Sequence, residues 1–500
     1  MAASKPRPRA NKPAPAQPQA ADGLEDCSVA CTAQGDEIRY EKIPFNSGSE
    51  GRLYKIPGSG SLLKLYTTPE TWRKSALEAI IVKRAQILGD DPDYWERFFC
   101  WPQKVIVQPS LGLIMPQARA EYRPFSHFLL PRFRQRVIQQ QGAAAVGSWI
   151  GHVGILMKLA RAVHRLHRFQ VCHSDLSLSN ILVDPVRGAV SLIDCDSIVE
   201  QGSSILLPTV LGTPDFMAPE LVAALGPRKK GPAPQPSVYT DLHALAVIIY
   251  YGLLYRHPLK GGAFHSADSD EDERLTLGAK ALYIEHPTQT ANRPNTPFLS
   301  AAILGPQAQD LFLRAFTDGL RTPERRPSAL EWEDALTRMY DQTVPCANPQ
   351  CDAKAFVFTE YNAGTCPWCG ETIKTPNVAP MFGFYSQQEK RKNSYQLDFH
   401  MVGWPQRTLR AWHIVPGCLP GPRAPENIYG SLHWQKGDSS TMAWFLKNES
   451  IEDLRDITDS RNILQIEPGR MVILREGSQF LIRTQGQERL IKVFMAKTHA

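Results

Sequence analysis

The sequence predicts an α+β chain in four parts: a small β-rich lobe, a larger helical lobe, a short cysteine-bounded module and a C-terminal β-rich domain. Three observations carry this. Short strand-like runs from Glu37 give way to longer patterns of helical period, such as Val153–Phe169 and Ala308–Leu320. Four cysteines form two close pairs between Cys346 and Cys369. Beyond Thr408, short apolar runs alternate with turn residues, the pattern of a β-sandwich-like domain.

Length and composition set the outer bounds. A chain of 500 residues is too long for one ordinary core, at about 100–200 residues per domain. A hydrophobic content of 43% and a charged content of 21% are values of a folded globular chain. The net charge of +6 is mild for this length and gives no bulk attraction for nucleic acid, so none is expected as a partner. Ala244–Tyr255, the longest strongly apolar stretch, falls short of the ~20 residues that span a bilayer. Residues 1–23 lack the apolar segment of a secretory signal. No membrane partner is expected, and the expected location is the cytoplasm. In such a reducing compartment, paired cysteines favour metal over disulfide.

Residues 1–36, rich in Pro and Ala and without periodicity, read as an extended tail. One two-lobed domain is expected over 37–342, with its N-lobe at 37–116 and its C-lobe at 117–342. Inside it, Gly226–Ser237 and the acid-rich His265–Arg274 read as surface loops. The cysteine module occupies 343–375, a linker 376–407, and the β-rich domain 408–500. Strands are expected there at Leu409–Val415, Thr441–Leu446, Asn462–Ile466, Met471–Leu474, Phe480–Arg483 and Leu490–Met495.

The sharpest chemical signal runs from His173 through Asp175 to Asn180, with Asp194 fourteen residues further on. A carboxylate and an amide five residues apart on one loop, with a second carboxylate after a short hairpin, can surround a hydroxyl nucleophile and Mg²⁺ together. Upstream, Asn46–Leu53 contains Gly48 and Gly51, which let backbone approach a phosphate closely. Lys64 lies in the apolar run Leu62–Leu65 and needs a carboxylate to offset its burial; Glu78, in the next helical run, is better placed than Glu70. Downstream stands Gly212-Thr-Pro-Asp-Phe-Met-Ala-Pro-Glu220. Asp241 then opens an apolar helix, where it can cap or tether the catalytic loop, and Arg326 precedes Pro327-Ser328.

In this order the motifs resemble those of the protein-kinase superfamily, whose catalytic loop reads H-x-D-L-x-x-x-N. The resemblance implies a bilobal kinase fold over 37–342, with ATP and Mg²⁺ as cofactors. Asp175 would accept or orient the substrate hydroxyl proton, and Asn180 and Asp194 would hold Mg²⁺. Lys64 would hold the ATP phosphates under the Gly48 and Gly51 hairpin, fixed by Glu78. Met115 would be the gatekeeper before an adenine-binding hinge, His173 a structural residue, and Arg326 the partner of Glu220.

Three departures from the family pattern stand out. Ser177 replaces the lysine two residues after the catalytic aspartate, Asp196 replaces the glycine after the metal aspartate, and Ser174 replaces an arginine. Without that arginine, switching by activation-segment phosphorylation is not required, although Ser203, Ser204 and Thr209 offer hydroxyls. Small-molecule kinases of the aminoglycoside or choline type share the catalytic loop but lack a segment like Gly212–Glu220. The implied activity is transfer of the ATP γ-phosphate to Ser/Thr hydroxyls of a protein substrate and of the chain itself. The alternative is a pseudokinase that binds nucleotide and partner proteins without transfer.

Cys346-x₄-Cys351 and Cys366-x₂-Cys369, fourteen residues apart, supply the four thiolates of tetrahedral Zn²⁺. Gly370 follows the last thiol, where a positive φ lets amides reach sulfur. The module resembles a zinc ribbon, and four protein ligands leave no open position, which implies a structural metal. A kinase domain without the catalytic-loop lysine, followed by a ribbon and a partner module, is similar to bacterial kinases found with von Willebrand A proteins and metal-dependent protein phosphatases. That similarity implies partners of those two kinds.

Overall fold

The computed structural model describes residues 27–48, 50–203, 212–225, 234–362, 364–388, 394–418, 427–437, 441–484 and 486–498. Ser204, Thr209 and most of the loop expected at 226–237 lie outside them. The chain divides into two compact units, residues 1–74 with 102–117, and residues 75–101 with 118–500.

The first unit is a β lobe. Its strands are β1 (Cys27–Thr32), β2 (Glu37–Glu41), β3 (Asn46–Ser47), β4 (Gly51–Ile56), β5 (Ser61–Tyr66), β6 (Lys104–Gln108) and β7 (Gly112–Pro116). Among the described residues they form one antiparallel sheet in the order β2-β1-β6-β7-β5-β4-β3. Ala30, Tyr40, Tyr54, Leu63, Ile106 and Ile114 make its core. The expected tail at 1–36 is thus corrected over 27–36. The run Cys-Ser-Val-Ala-Cys-Thr alternates with period two and folds onto β2 through a turn in which Gly35 takes φ +91°. Its signal is masked by the Pro/Ala-rich stretch before it.

Helix α1 (Thr71–Leu88) begins in the first unit and continues into the second. The second unit is built around α2 (Trp149–Arg168), capped by the Ser148 hydroxyl, which accepts from Gly151 N at 3.1 Å. This helix is long and apolar enough to cross a membrane. Here it packs instead against α3 (Val238–Leu254) and α4 (Ala329–Asp341), with both its middle turns and Trp149 buried in protein. α4 starts with a reciprocal cap between Ser328 and Glu331. The acid-rich stretch expected as a loop forms a helix, Ser269–Leu277. Asp268 caps it at 2.8 Å from Glu271 N, and three acids in the first turn face the positive end of its dipole. Strands β8 (Ile181–Asp184) and β9 (Ala189–Leu192) form the hairpin that follows the His173–Asn180 loop.

Past α4, β10 (Thr343–Pro345) pairs with β11 (Ala355–Val357) beside the cysteines. The stretch 376–407 is not a linker. It holds β12 (Val378–Gln387) and β13 (Tyr395–Val402), and Phe382 and Phe384 enter the core of the C-terminal domain. Pro380, Gly383 and the polar run after Gln387 hide its apolar content. The remaining strands are β14 (Thr408–Leu409), β15 (Gly430–Lys436), β16 (Met442–Asn448), β17 (Leu454–Asp456), β18 (Leu464–Gln465), β19 (Met471–Leu474), β20 (Gln479–Thr484) and β21 (Gln487–Lys497). Two sheets result, β13-β12-β21-β20-β17-β18 and β14-β15-β16-β19. Leu432, Trp444, Leu446 and Leu474 of the smaller sheet share one core with Phe382, Phe480, Ile482 and Ile491 of the larger. The run expected as a strand at Leu409–Val415 turns into a helical segment at Ala411–Ile414, where the His413 ring accepts from Arg410 N at 2.8 Å.

These C-terminal parts are built into the helical body. Val344, Phe356, Cys366, Ile373, Ala379 and Val402 continue the same buried core that contains Trp149 and Leu156. The Trp368 ring lies 6.1 Å from Trp149 and 6.0 Å from Tyr255. Arg407 donates to the carbonyls of Tyr340, Asp341 and Thr343, satisfying the C-terminal end of α4.

Candidate active site

Four of the expected site residues lie in the first unit. The β3–β4 hairpin forms as expected from its turn residues, with Gly48 N donating to Gly51 O at 2.9 Å. Gly51 is demanded by the sheet itself: a Cβ there would stand 2.5 Å from the Leu65 carbonyl oxygen. Lys64 is buried on β5, with Nζ 3.7 Å from Glu50 and 5.4 Å from the Tyr66 ring centroid. Arg73 also reaches Glu50, at 3.5 Å. Glu50 was not singled out from sequence, although it immediately precedes Gly51 and β4 pairs with β5, which carries Lys64. Met115 is buried on β7, in register with Leu62. Glu78 belongs to the second unit and holds an exposed position on α1.

In the second unit the catalytic loop is hung from one buried carboxylate. Asp241, on the first turn of α3, accepts from His173 N at 2.7 Å and Ser174 N at 3.0 Å, and lies 3.1 Å from the His167 ring. That is the tether its position in the sequence suggests. His173 is fully buried, its ring 3.0 Å from the Ile193 carbonyl, a structural part as expected. Ser177 is also fully buried and its hydroxyl accepts from Asn180 N at 3.3 Å, so this position closes a turn and contributes no charge to the site.

Asp175 and Asn180 meet directly. The Asn180 amide nitrogen donates to the Asp175 carbonyl at 3.0 Å and to its carboxylate at 2.8 Å. The other carboxylate oxygen accepts from Thr213 N at 3.0 Å and from the Thr213 hydroxyl at 3.1 Å. Thr213 was read only as part of a motif; its contact with the Asp175 carboxylate shows on folding. Gly212, at φ +137°, lets the chain pass here. At the far end of the segment, Arg326 grips Glu220 through two bonds of 2.8 and 2.7 Å, and also donates to the carbonyls of Gly319 and Tyr239.

Asp194 follows β9, and Ile193 N donates to the Asn180 carbonyl at 3.0 Å, which brings the two segments side by side. With its nitrogen spent on Asp175, Asn180 has its amide oxygen left for a cation. Together with the Asp194 carboxylate this is a hard-oxygen donor set that suits Mg²⁺. Cys195, between Asp194 and Asp196, is fully buried, and burial pushes its thiol far above the ordinary range, so it stays protonated and inert.

The four cysteine sulfurs converge. All lie within 4.8 Å of one another, with Cys346–Cys369 at 3.5 Å and Cys351–Cys366 at 3.9 Å. Thiolates about 2.3 Å from a tetrahedral zinc would be about 3.8 Å apart, so the residues fit this metal. Gly370 takes φ +77° after the last thiol.

The protein kinase domain family matches residues 141–334, a span that holds Asp175, Asn180, Asp194, Gly212–Glu220, Asp241 and Arg326. Citron Rho-interacting kinase of Homo sapiens is 33% identical over 109 residues, covering 21% of this chain and 5% of that protein. The Rattus norvegicus protein of that name is 31% identical over 110 residues, covering 21% and 5%, and the Mus musculus protein 35% over 79 residues, covering 15% and 4%. The chain thus spans only a small part of the length of these relatives. The matches do not bear on phosphatase or von Willebrand A partners. Over residues 141–334 the chain is thus similar to the protein kinase domain family.

Proposed function

We propose that the chain is an active kinase that transfers the ATP γ-phosphate to Ser/Thr hydroxyls of a protein. The observation that carries this reading is the Asp175 constellation: a carboxylate oriented through both oxygens by Asn180 and Thr213, next to a segment bearing Asp194. Asp175 orients the acceptor hydroxyl and takes its proton as the phosphoryl group moves. Asn180 and Asp194 hold the cation, which neutralises phosphate charge when bound. Lys64 binds the nucleotide phosphates, held in place by Glu50. Ser179 stands four residues after Asp175, where many tyrosine kinases carry an arginine, and this favours a Ser/Thr acceptor.

The four-thiol module is a structural zinc ribbon that completes the helical body, and the two-sheet domain is a β-sandwich for a partner protein. Incubation with γ-labelled ATP, Mg²⁺ and a generic protein acceptor, followed by phosphoamino-acid analysis, tests the acceptor. Phosphoserine or phosphothreonine is expected. Phosphotyrosine alone would contradict the acceptor class.

A further inference from the structure

Between the catalytic loop and the metal-binding segment runs a chain of hydroxyl contacts that the residues of the transfer reaction leave unexplained. Asp194 sits in the left-handed region, at φ 55° and ψ 40°, which is disfavoured for a residue with a side chain and persists only where neighbours over-determine it. Ser197 supplies that constraint. Its amide donates to the Asp194 carbonyl at 3.1 Å, and its hydroxyl proton is shared between the carbonyls of Asp194 at 2.7 Å and His173 at 2.8 Å.

Ser174 completes the link. Its hydroxyl donates to the Ser197 carbonyl at 2.5 Å, and its own amide is held by Asp241 at 3.0 Å. Ser174 itself takes φ 66°. A continuous path therefore leads from the buried Asp241 carboxylate, through Ser174 and Ser197, to the backbone of Asp194. Each of the serine hydroxyl bonds ends on a main-chain carbonyl. No cationic side chain takes part in these bonds.

We propose that Ser197, braced by Ser174, is the positioning residue that fixes Asp194 for the divalent cation, so that the metal site is set without a phosphate on the activation segment. The inference rests on the reading of the chain as a Mg²⁺-dependent kinase and names what positions a residue of that same site. Losing the Ser197 hydroxyl takes a donor from the His173 and Asp194 carbonyls, the latter keeping the Ser197 amide, and lets the Asp194 turn relax. Because a hydrogen bond of this kind contributes modestly, the loss is a weakening of metal binding by about three- to tenfold.

The test uses the full chain and Mn²⁺ as a paramagnetic probe, titrated with ADP present and read by electron paramagnetic resonance. Ser197→Ala should weaken Mn²⁺ binding by that factor, Ser197→Thr should restore it, and Ser174→Ala should weaken it in the same direction. ADP binding without metal should stay unchanged in all three, and phosphatase-treated wild type should bind Mn²⁺ as tightly as untreated protein. Equal affinity in Ser197→Ala and wild type would overturn the proposal, as would loss of affinity on phosphatase treatment. A threonine variant as weak as the alanine would also overturn it, by assigning the effect to packing. If Ser197→Ala does not fold, Ser174→Ala carries the comparison, since its hydroxyl bonds to the Ser197 carbonyl. Wild type that bound Mn²⁺ and transferred phosphate while every variant matched it would sink this inference and leave the kinase reading standing. Wild type that bound no Mn²⁺ with ADP would overturn both.

Discussion

Asp175 spends both carboxylate oxygens on neighbours, Asn180 on one side and Thr213 on the other. An incoming hydroxyl must therefore approach a carboxylate whose plane is already fixed, which lowers the entropic cost of aligning it. Thr213 contributes two donors, and only its hydroxyl can be removed by a near-isosteric change. Thr213→Val should lower the transfer rate at saturating ATP by about three- to tenfold, with the KM for ATP unchanged, because the lost bond acts on the base and not on the nucleotide. Steady-state kinetics of purified wild type and variant measure this. An unchanged rate would show that Asn180 and the Thr213 amide suffice to orient the carboxylate.

Among the elements, the cysteine module and α2 depend on each other. Trp368 sits between Cys366 and Cys369 in sequence and against Trp149 and Tyr255 in space. Metal analysis should find one zinc per chain, and Cys366→Ser with Cys369→Ser should abolish it and lower the melting temperature of the second unit, because a module held by metal loses its fold without it. A double variant with full zinc content would return the cysteines to ordinary packing roles. The spacing of these cysteines and the order of the kinase motifs were legible because each rests on local sequence. The catalytic loop, its tether Asp241 and the Arg326–Glu220 pair all lie where the motifs put them. What could not be read were contacts made by folding: Glu50 on Lys64, Thr213 on Asp175, Ser197 on Asp194. Strands with breakers inside them were lost too, as in β12 with Pro380 and Gly383, where cross-sheet burial of Phe382 and Phe384 overrides local preference. The acidic helix at Ser269–Leu277 was hidden in the same way, since its capping by Asp268 and its dipole, not an apolar stripe, account for its start.

At the scale of the molecule, the second unit shares one core from α1 to β13, so its helical body and the four-cysteine module are expected to melt together. Its acid sensitivity has identifiable sources. Burial drives the His152 and His257 rings down to about 4, from an ordinary value of 6.5. His152 lies 2.9 Å from the Val146 carbonyl, and His257 2.7 Å from that of Asp215. Both rings are thus neutral when folded and take up protons more readily when unfolded. Their contribution to stability is complete above about pH 6.5 and is lost as the pH falls towards 4. Thermal melts across this window should fall steadily in wild type and more gently in the variant with both His152→Gln and His257→Gln. A wild-type melting temperature that stays flat from 6.5 to 4 would contradict the buried neutral state of these rings.

The central claim is that Asp175, Asp194 and Lys64 serve one phosphoryl transfer. It is tested most directly by following phosphate from γ-labelled ATP, with Mg²⁺, onto a protein acceptor and onto the chain itself, in wild type, Asp175→Asn, Asp194→Ala and Lys64→Ala. Transfer by wild type that falls about 10²- to 10⁴-fold in Asp175→Asn and drops to background in the other two is the expected result. Tight ATP binding by wild type with no transfer would contradict it and leave the chain a nucleotide-binding scaffold.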